Sequence, residues 1–146
     1  MFLRAFAPLL LALLAAQAVR ADMPAAAHDG WGLAGHDPVS YFADGVPRAG
    51  RADFVVKWRG QMWHFASPEN RAAFEADPAR FAPRFRGYCV VALASGRLSP
   101  GDPTIFVIHG NQLFLLQSDA ERAAFLADPE AMIGAARQNW QNLIGK

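Results

Sequence analysis

Cysteine is nearly missing from this chain of 146 residues, with Cys89 its single example. One cysteine makes no internal disulfide, so Cys89 is a buried thiol, a ligand or an intermolecular partner. Charge imbalance is missing too. Without residues 1–21 the chain keeps 12 basic against 13 acidic residues, a formal net charge of −1. That balance gives no electrostatic case for nucleic acid or anionic lipid. The apolar run Ala7–Ala18 is too short to span a bilayer comfortably. No CxxC or HxxxH spacing, Ser-His-Asp order, paired carboxylates or glycine-rich phosphate loop stands out. Nothing in the sequence demands catalysis, and the chain reads as non-enzymatic.

What is present begins with an export signal. Arg4 precedes the apolar run, and Val19-Arg20-Ala21 follows it with a small-residue exit. This layout predicts a secretory signal over residues 1–21, cleaved after Ala21. No cysteine ends the run to take a lipid, and no twin-arginine pair precedes it. The expectation is a soluble periplasmic or secreted protein with no membrane anchor after cleavage. Residues 22–34 are rich in Ala, Gly and Pro without period and read as a flexible lead-in. Residues 35–146 then form one domain, long enough to bury a core without staples.

That domain writes one stretch twice. Residues 54–78, FVVKWRGQMWHFASPENRAAFEADP, align at a shift of 51 on residues 105–129, IFVIHGNQLFLLQSDAERAAFLADP. Arg71-Ala72-Ala73-Phe74 falls on Arg122-Ala123-Ala124-Phe125, and Ala76-Asp77-Pro78 on Ala127-Asp128-Pro129. Two copies are too few for a solenoid. The reading is α+β: two duplicated β-hairpin–helix units, the hairpins forming an antiparallel sheet covered on one face by helices.

Within each copy the pattern alternates at period two and then turns helical. Arg59-Gly60-Gln61 and His109-Gly110-Asn111 supply the hairpin turns. Ser67 N-caps a helix Pro68–Ala76, and Asp77-Pro78 ends it and caps a second short turn. Ser118 with Glu121 reads as a capping box for the second helix. Gly87–Leu93 is an apolar strand candidate. Past Pro129 a longer helix carries Ile133, Ala136, Trp140, Leu143 and Ile144 as one buried stripe.

Unlike residues at matched positions mark what each copy does beyond folding. The second copy is apolar on both strand faces and is expected to be the more deeply buried. The first keeps Lys57, Arg59 and His64, so a site is expected there. Arg71 and Arg122, kept in both copies, are expected to serve the fold by pairing with strand-end carbonyls or with Asp77 and Asp128.

Gly35-His36-Asp37-Pro38-Val39-Ser40-Tyr41-Phe42, Trp63-His64-Phe65-Ala66-Ser67-Pro68-Glu69-Asn70 and Gly87-Tyr88-Cys89 together resemble the exported, single-domain branch of the YHS domain family. The likeness runs over roughly residues 35–140. Metal-binding members of that family and related TRASH modules place one cysteine directly after the aromatic ending the hairpin and another four residues on. Those positions here are Ala66 and Asn70. The resemblance implies the fold and a binding role, with a transition metal such as copper, or zinc, as one ligand class.

A metal shell would draw on His64, Cys89, His36 and Asp37, with Tyr41, Tyr88 and Met62 as outer members, since imidazole and thiolate suit zinc or copper. Each has a structural reading beside it. His64 reads more simply as a half-exposed strand residue, Cys89 as a buried inert thiol, and His36-Asp37 also as a turn whose carboxylate caps backbone N–H groups. His28 and His109 read as loop residues. The alternative is a metal-free module for a small molecule or protein partner, with Tyr41, Trp63 and Tyr88 lining a cleft beside Arg80, Arg84 and Arg86. Those arginines also read as a solvated face with Phe81 and Phe85 turned inward, and Trp58, Trp63 and Trp140 as core.

Overall fold

A computed structural model of the chain describes residues 24–144; the expected signal segment, residues 1–21, lies outside them. The described residues mix helices with two antiparallel hairpins. The first hairpin pairs β1 (Arg51–Trp58) with β2 (Gln61–Phe65), and the second pairs β3 (Asp102–His109) with β4 (Gln112–Leu116). Helix α1 (Ser40–Ala43) precedes the first hairpin. Helices α2 (Pro68–Ala76) and α3 (Pro78–Phe81) follow it, and α4 (Val90–Ala94) leads into the second. Helices α5 (Asp119–Ala127) and α6 (Pro129–Ile144) close the chain.

The turns and caps follow from local chemistry. Arg59 and Gly60 both have positive φ, as do Gly110 and Asn111, the pattern of two-residue turns whose twist matches that of paired strands. Ser67 accepts from the Asn70 backbone N–H at 3.1 Å, and Ser118 from that of Glu121 at 3.2 Å. Glu121 returns its carboxylate to the N–H of Gln117 at 2.9 Å, one residue earlier than a capping box requires. Asp77 and Asp128 share one backbone conformation, φ −152° and ψ 78°, and each starts the next helix by accepting from the N–H three residues on.

The two hairpins run in the same register. Val55 pairs with His64 and Trp58 with Gln61; Phe106 pairs with Leu115 and His109 with Gln112. Each pairing is interrupted at the corresponding place, between Arg51 and Val55 and between Asp102 and Phe106.

The hairpins do not join into one sheet; each is a separate two-stranded ribbon. Short segments occupy the strand edges through isolated bridges, Trp31 to Met62 and Cys89 to Leu115, and a covered edge recruits no neighbour. Gly87–Leu93, expected as a strand, is none. Tyr88 makes an isolated bridge to Pro100, and Val90–Ala94 turns helical with the Cys89 sulfur accepting the Ala92 N–H. Residues of the expected lead-in bond to the rest of the domain. Ala27 N–H donates to the Arg86 carbonyl, Met62 N–H donates to the Gly30 carbonyl at 2.7 Å, and Leu33 is buried.

Two apolar cores result. The first gathers Leu33, Tyr41, Trp63, Phe65, Phe74 and Phe81 and receives Leu113 and Leu115 from the second hairpin. The second gathers Cys89, Val90, Leu93, Phe125 and Ile133 with Phe114 and Leu116. Strand β4 therefore feeds both cores, one from each face. This accounts for the apolar character of both faces of β4.

Candidate ligand-binding cleft

Three of the four residues expected to share a metal, His36, Asp37 and Cys89, have other polar partners. Asp37 is fully buried. Its Oδ1 accepts from the Val39 N–H at 2.8 Å, and its Oδ2 from the Ala66 N–H at 2.8 Å and the Asn70 side chain at 2.6 Å. Ala66 and Asn70 thus both donate to one carboxylate. The neighbouring His36 places Nδ1 2.9 Å from the Leu33 carbonyl.

Cys89 lies in the second core, its thiol donating to Glu121 Oε2 at 3.3 Å. Burial, followed by that carboxylate, pushes the thiol's pKa up, opposite to what a reactive thiolate or a ready ligand requires. His64 is buried, not half-exposed. Trp31 covers it at a ring separation of 4.5 Å, and its Nδ1 is buried without a hydrogen-bond partner. Among the described residues no group of three or more His, Cys, Asp or Glu side chains is placed to hold a metal ion. The donor set expected for copper or zinc does not fit a shared shell.

Two of the three residues expected to line a cleft serve the fold instead. Tyr41 is buried, donates its hydroxyl to the Pro103 carbonyl at 2.7 Å and meets Phe106 edge to face. Burial, then the charges of Asp102 and Asp37, push its pKa up beyond the ordinary phenol range. Tyr88 packs toward Trp140 at 6.3 Å and lies outside the cleft. Trp63 does line it.

That cleft has a volume of about 460 Å³, within the range of small-molecule sites. The first hairpin supplies Trp58, Arg59, Gln61 and Trp63; the α3–α4 connection supplies Arg84, Phe85 and Arg86; α6 supplies Arg137, Trp140, Gln141 and Ile144. His28 and Leu33 complete the wall from the segment expected to be a flexible lead-in. Burial lowers the His28 pKa, against the opposing effect of its contact with the Gly101 carbonyl at 3.0 Å. The ring at the cleft is therefore held toward its neutral form.

The wall is conformationally strained. Leu33 and Ala34 have φ of 52° and 51°, and Phe85 and Arg86 have φ of 52° and 54°. Left-handed backbone costs a residue with a Cβ roughly 1–2 kcal/mol. Three of these four residues, Leu33, Phe85 and Arg86, face the cleft. Strain of this kind persists where surrounding structure over-determines it, and it gathers at ligand sites. Gly32 lets the first of these turns lie on Trp63, since a Cβ there would sit 2.5 Å from the indole.

Trp140 packs on the second core, as expected, and also faces the cleft; the sequence by itself assigns His28 and Arg137 no role there. A signal for the helical part was present: Arg137, Trp140, Gln141 and Ile144 stand at i, i+3, i+4 and i+7, one face of α6. The repeated arginines also differ from expectation. Arg122 pairs with Asp119 at 2.7 Å, not with Asp128, and Arg71 buries Nε without a partner.

No family model, curated protein or solved structure matches the chain.

Proposed function

We propose that this chain is a non-enzymatic binding protein that takes a small molecule in the cleft between its first hairpin, the α3–α4 connection and α6. The observation that carries the reading is the pair of left-handed turns, around Leu33 and around Phe85 and Arg86, both built into the wall of one cavity. Aromatic side chains flank the space, and no nucleophile–base pair lines it, so binding rather than turnover is the chemistry on offer.

In this reading the chain is an exported member of the YHS domain family, periplasmic or secreted, with residues 1–21 as its cleaved signal. Its domain arose by doubling one hairpin–helix unit. Equal strand registers, equal breaks in pairing and identical Asp77 and Asp128 conformations support the doubling. The metal alternative, copper or zinc on His36, Asp37, His64 and Cys89, is the weaker reading because no three such groups converge among the described residues.

The test is thermal unfolding of the purified protein against a panel of small molecules and against Cu(II) and Zn(II). A ligand that binds only the folded state raises the melting temperature. The expected outcome is a rise with members of the small-molecule panel, lost in Trp63→Ala, and none with either metal. Stoichiometric metal retention abolished by His64→Ala would reverse the order of the two readings.

A further inference from the structure

The cleft gathers four arginines, Arg59, Arg84, Arg86 and Arg137, and no aspartate or glutamate lines it. Ion pairs among the described residues engage other side chains: Arg48 with Asp44, Arg51 with Asp53, Arg122 with Asp119 and His109 with Glu130. The four cleft arginines make none. Outside the cleft Lys57, Arg71, Arg80 and Arg97 likewise make no ion pair among the described residues; what distinguishes the four is that they converge on one concavity whose lining holds no carboxylate. Such an arrangement raises the local positive potential and concentrates anions.

Arg86 sharpens the point. Its Nε is buried and has no hydrogen-bond partner, and a buried donor without an acceptor is costly to leave so. Its guanidinium is a planar fork suited to two parallel hydrogen bonds with an oxyanion. Around it stand the flat side chains of Trp58, Trp63, Phe85 and Trp140. Trp58 already carries the Arg59 guanidinium on its face at 4.5 Å, so this wall accepts a planar charged group.

Resting on the reading of the cleft as a binding site, we infer that its ligand is a flat, conjugated small molecule bearing an anionic group such as a carboxylate or sulfonate. The rings receive the conjugated frame, and Arg86 and Arg137 receive the oxyanion. A cation is repelled by the same four charges, and a neutral frame leaves the Arg86 donor unmet.

Two probes that share one frame separate this inference from the reading beneath it. 8-Anilinonaphthalene-1-sulfonate carries a sulfonate; N-phenyl-1-naphthylamine is the same ring system without it. Both are titrated into the folded protein by fluorescence, at low and at raised salt. The expected result is one site for which the sulfonate binds roughly tenfold or more tighter than the neutral probe, as charge-assisted hydrogen bonds require. Raised salt narrows that gap. Arg86→Gln and Arg137→Gln each weaken the sulfonate severalfold and leave the neutral probe unchanged. The second variant sits on the exposed face of a helix and keeps the test open if the first disturbs its turn. Equal affinity for both probes, or a sulfonate affinity indifferent to Arg137→Gln, overturns the anionic ligand while the cleft stands as a site. Binding of neither probe overturns both.

Discussion

Asp37 and Asn70 meet across the first half of the protein, the Asn70 amide donating to Asp37 Oδ2 at 2.6 Å. The same oxygen takes the Ala66 N–H, so one carboxylate ties the segment before α1 to the junction between β2 and α2. In the second half Cys89 approaches Glu121, and Glu121 takes the Gln117 N–H. Ala66 and Asn70 stand 51 positions before Gln117 and Glu121. Places 51 positions apart thus carry different chemistry for one task, fastening the entry of a helix to a distant loop.

Asp37→Ala is expected to destabilise the fold by about 3 kcal/mol or more, because it strands buried donors that had a charged acceptor. Asn70→Ala, which removes one donor and leaves two, should cost less. Urea unfolding of both variants checks the order; equal and small losses would show that the carboxylate is not the fastening.

Cys89 should resist alkylation in the native protein and label at the rate of unfolding, since the thiol is buried and its pKa is raised. A raised folded-state pKa favours the neutral thiol in the native state. Its contribution is present below the unfolded thiol's pKa and is lost as pH rises through the higher folded value. Stability of the wild type should therefore fall through the alkaline thiol range more steeply than that of Cys89→Ala.

His28 gives the opposite slope. Its folded-state pKa is lowered by burial, so the unfolded chain binds the proton more readily. Stability from this group is present above the unfolded imidazole's pKa and is lost as pH falls. His28→Gln should flatten that acid-side loss in a series of thermal melts.

Gly50 and Gly101 lie against matched strand residues. A Cβ at Gly50 would stand 2.4 Å from the His64 Cβ and 2.5 Å from its backbone carbon, and one at Gly101 would stand 2.4 Å from the Leu115 Cβ. Backbone and Cβ atoms do not yield as side-chain tips do. Gly50→Ala and Gly101→Ala should each cost about 2–3 kcal/mol by overpacking, read from the shift in denaturation midpoint.

Ala34→Gly is expected to stabilise, against the usual sign for that exchange. Ala34 is exposed and left-handed, with φ of 51°, so glycine relieves strain and removes no packing. The gain should be about 0.5–1 kcal/mol once the greater freedom of glycine in the unfolded chain is counted. A loss of stability would show that the turn is not strained.

Much of the fold was legible residue by residue. The helix Pro68–Ala76, its Ser67 cap, the Asp-Pro stops and both hairpin turns depend on partners within a few positions, and hydrogen bonds at that range are readable from side-chain type alone. The strand expected over Gly87–Leu93 failed for a related reason. An apolar run has no period to separate a buried strand from a buried helical turn, and what decided it was the Cys89 sulfur capping the Ala92 N–H.

The cleft was less legible, because its wall is made by segments distant in sequence. Trp63 belongs to the first core and also faces the cleft, whereas Tyr41 and Tyr88 are drawn into the fold by Pro103, Phe106 and Trp140. By itself the sequence determined the two hairpins and the helices that follow them, with their caps and turns, since each rests on short-range hydrogen bonding and on which face of an element is apolar. Only the tertiary structure decided that both turns of left-handed backbone enclose one cavity and that Arg59, Arg84, Arg86 and Arg137 meet there without a carboxylate. Convergence of charge is a property of distances in space, and spacing along the chain does not encode it.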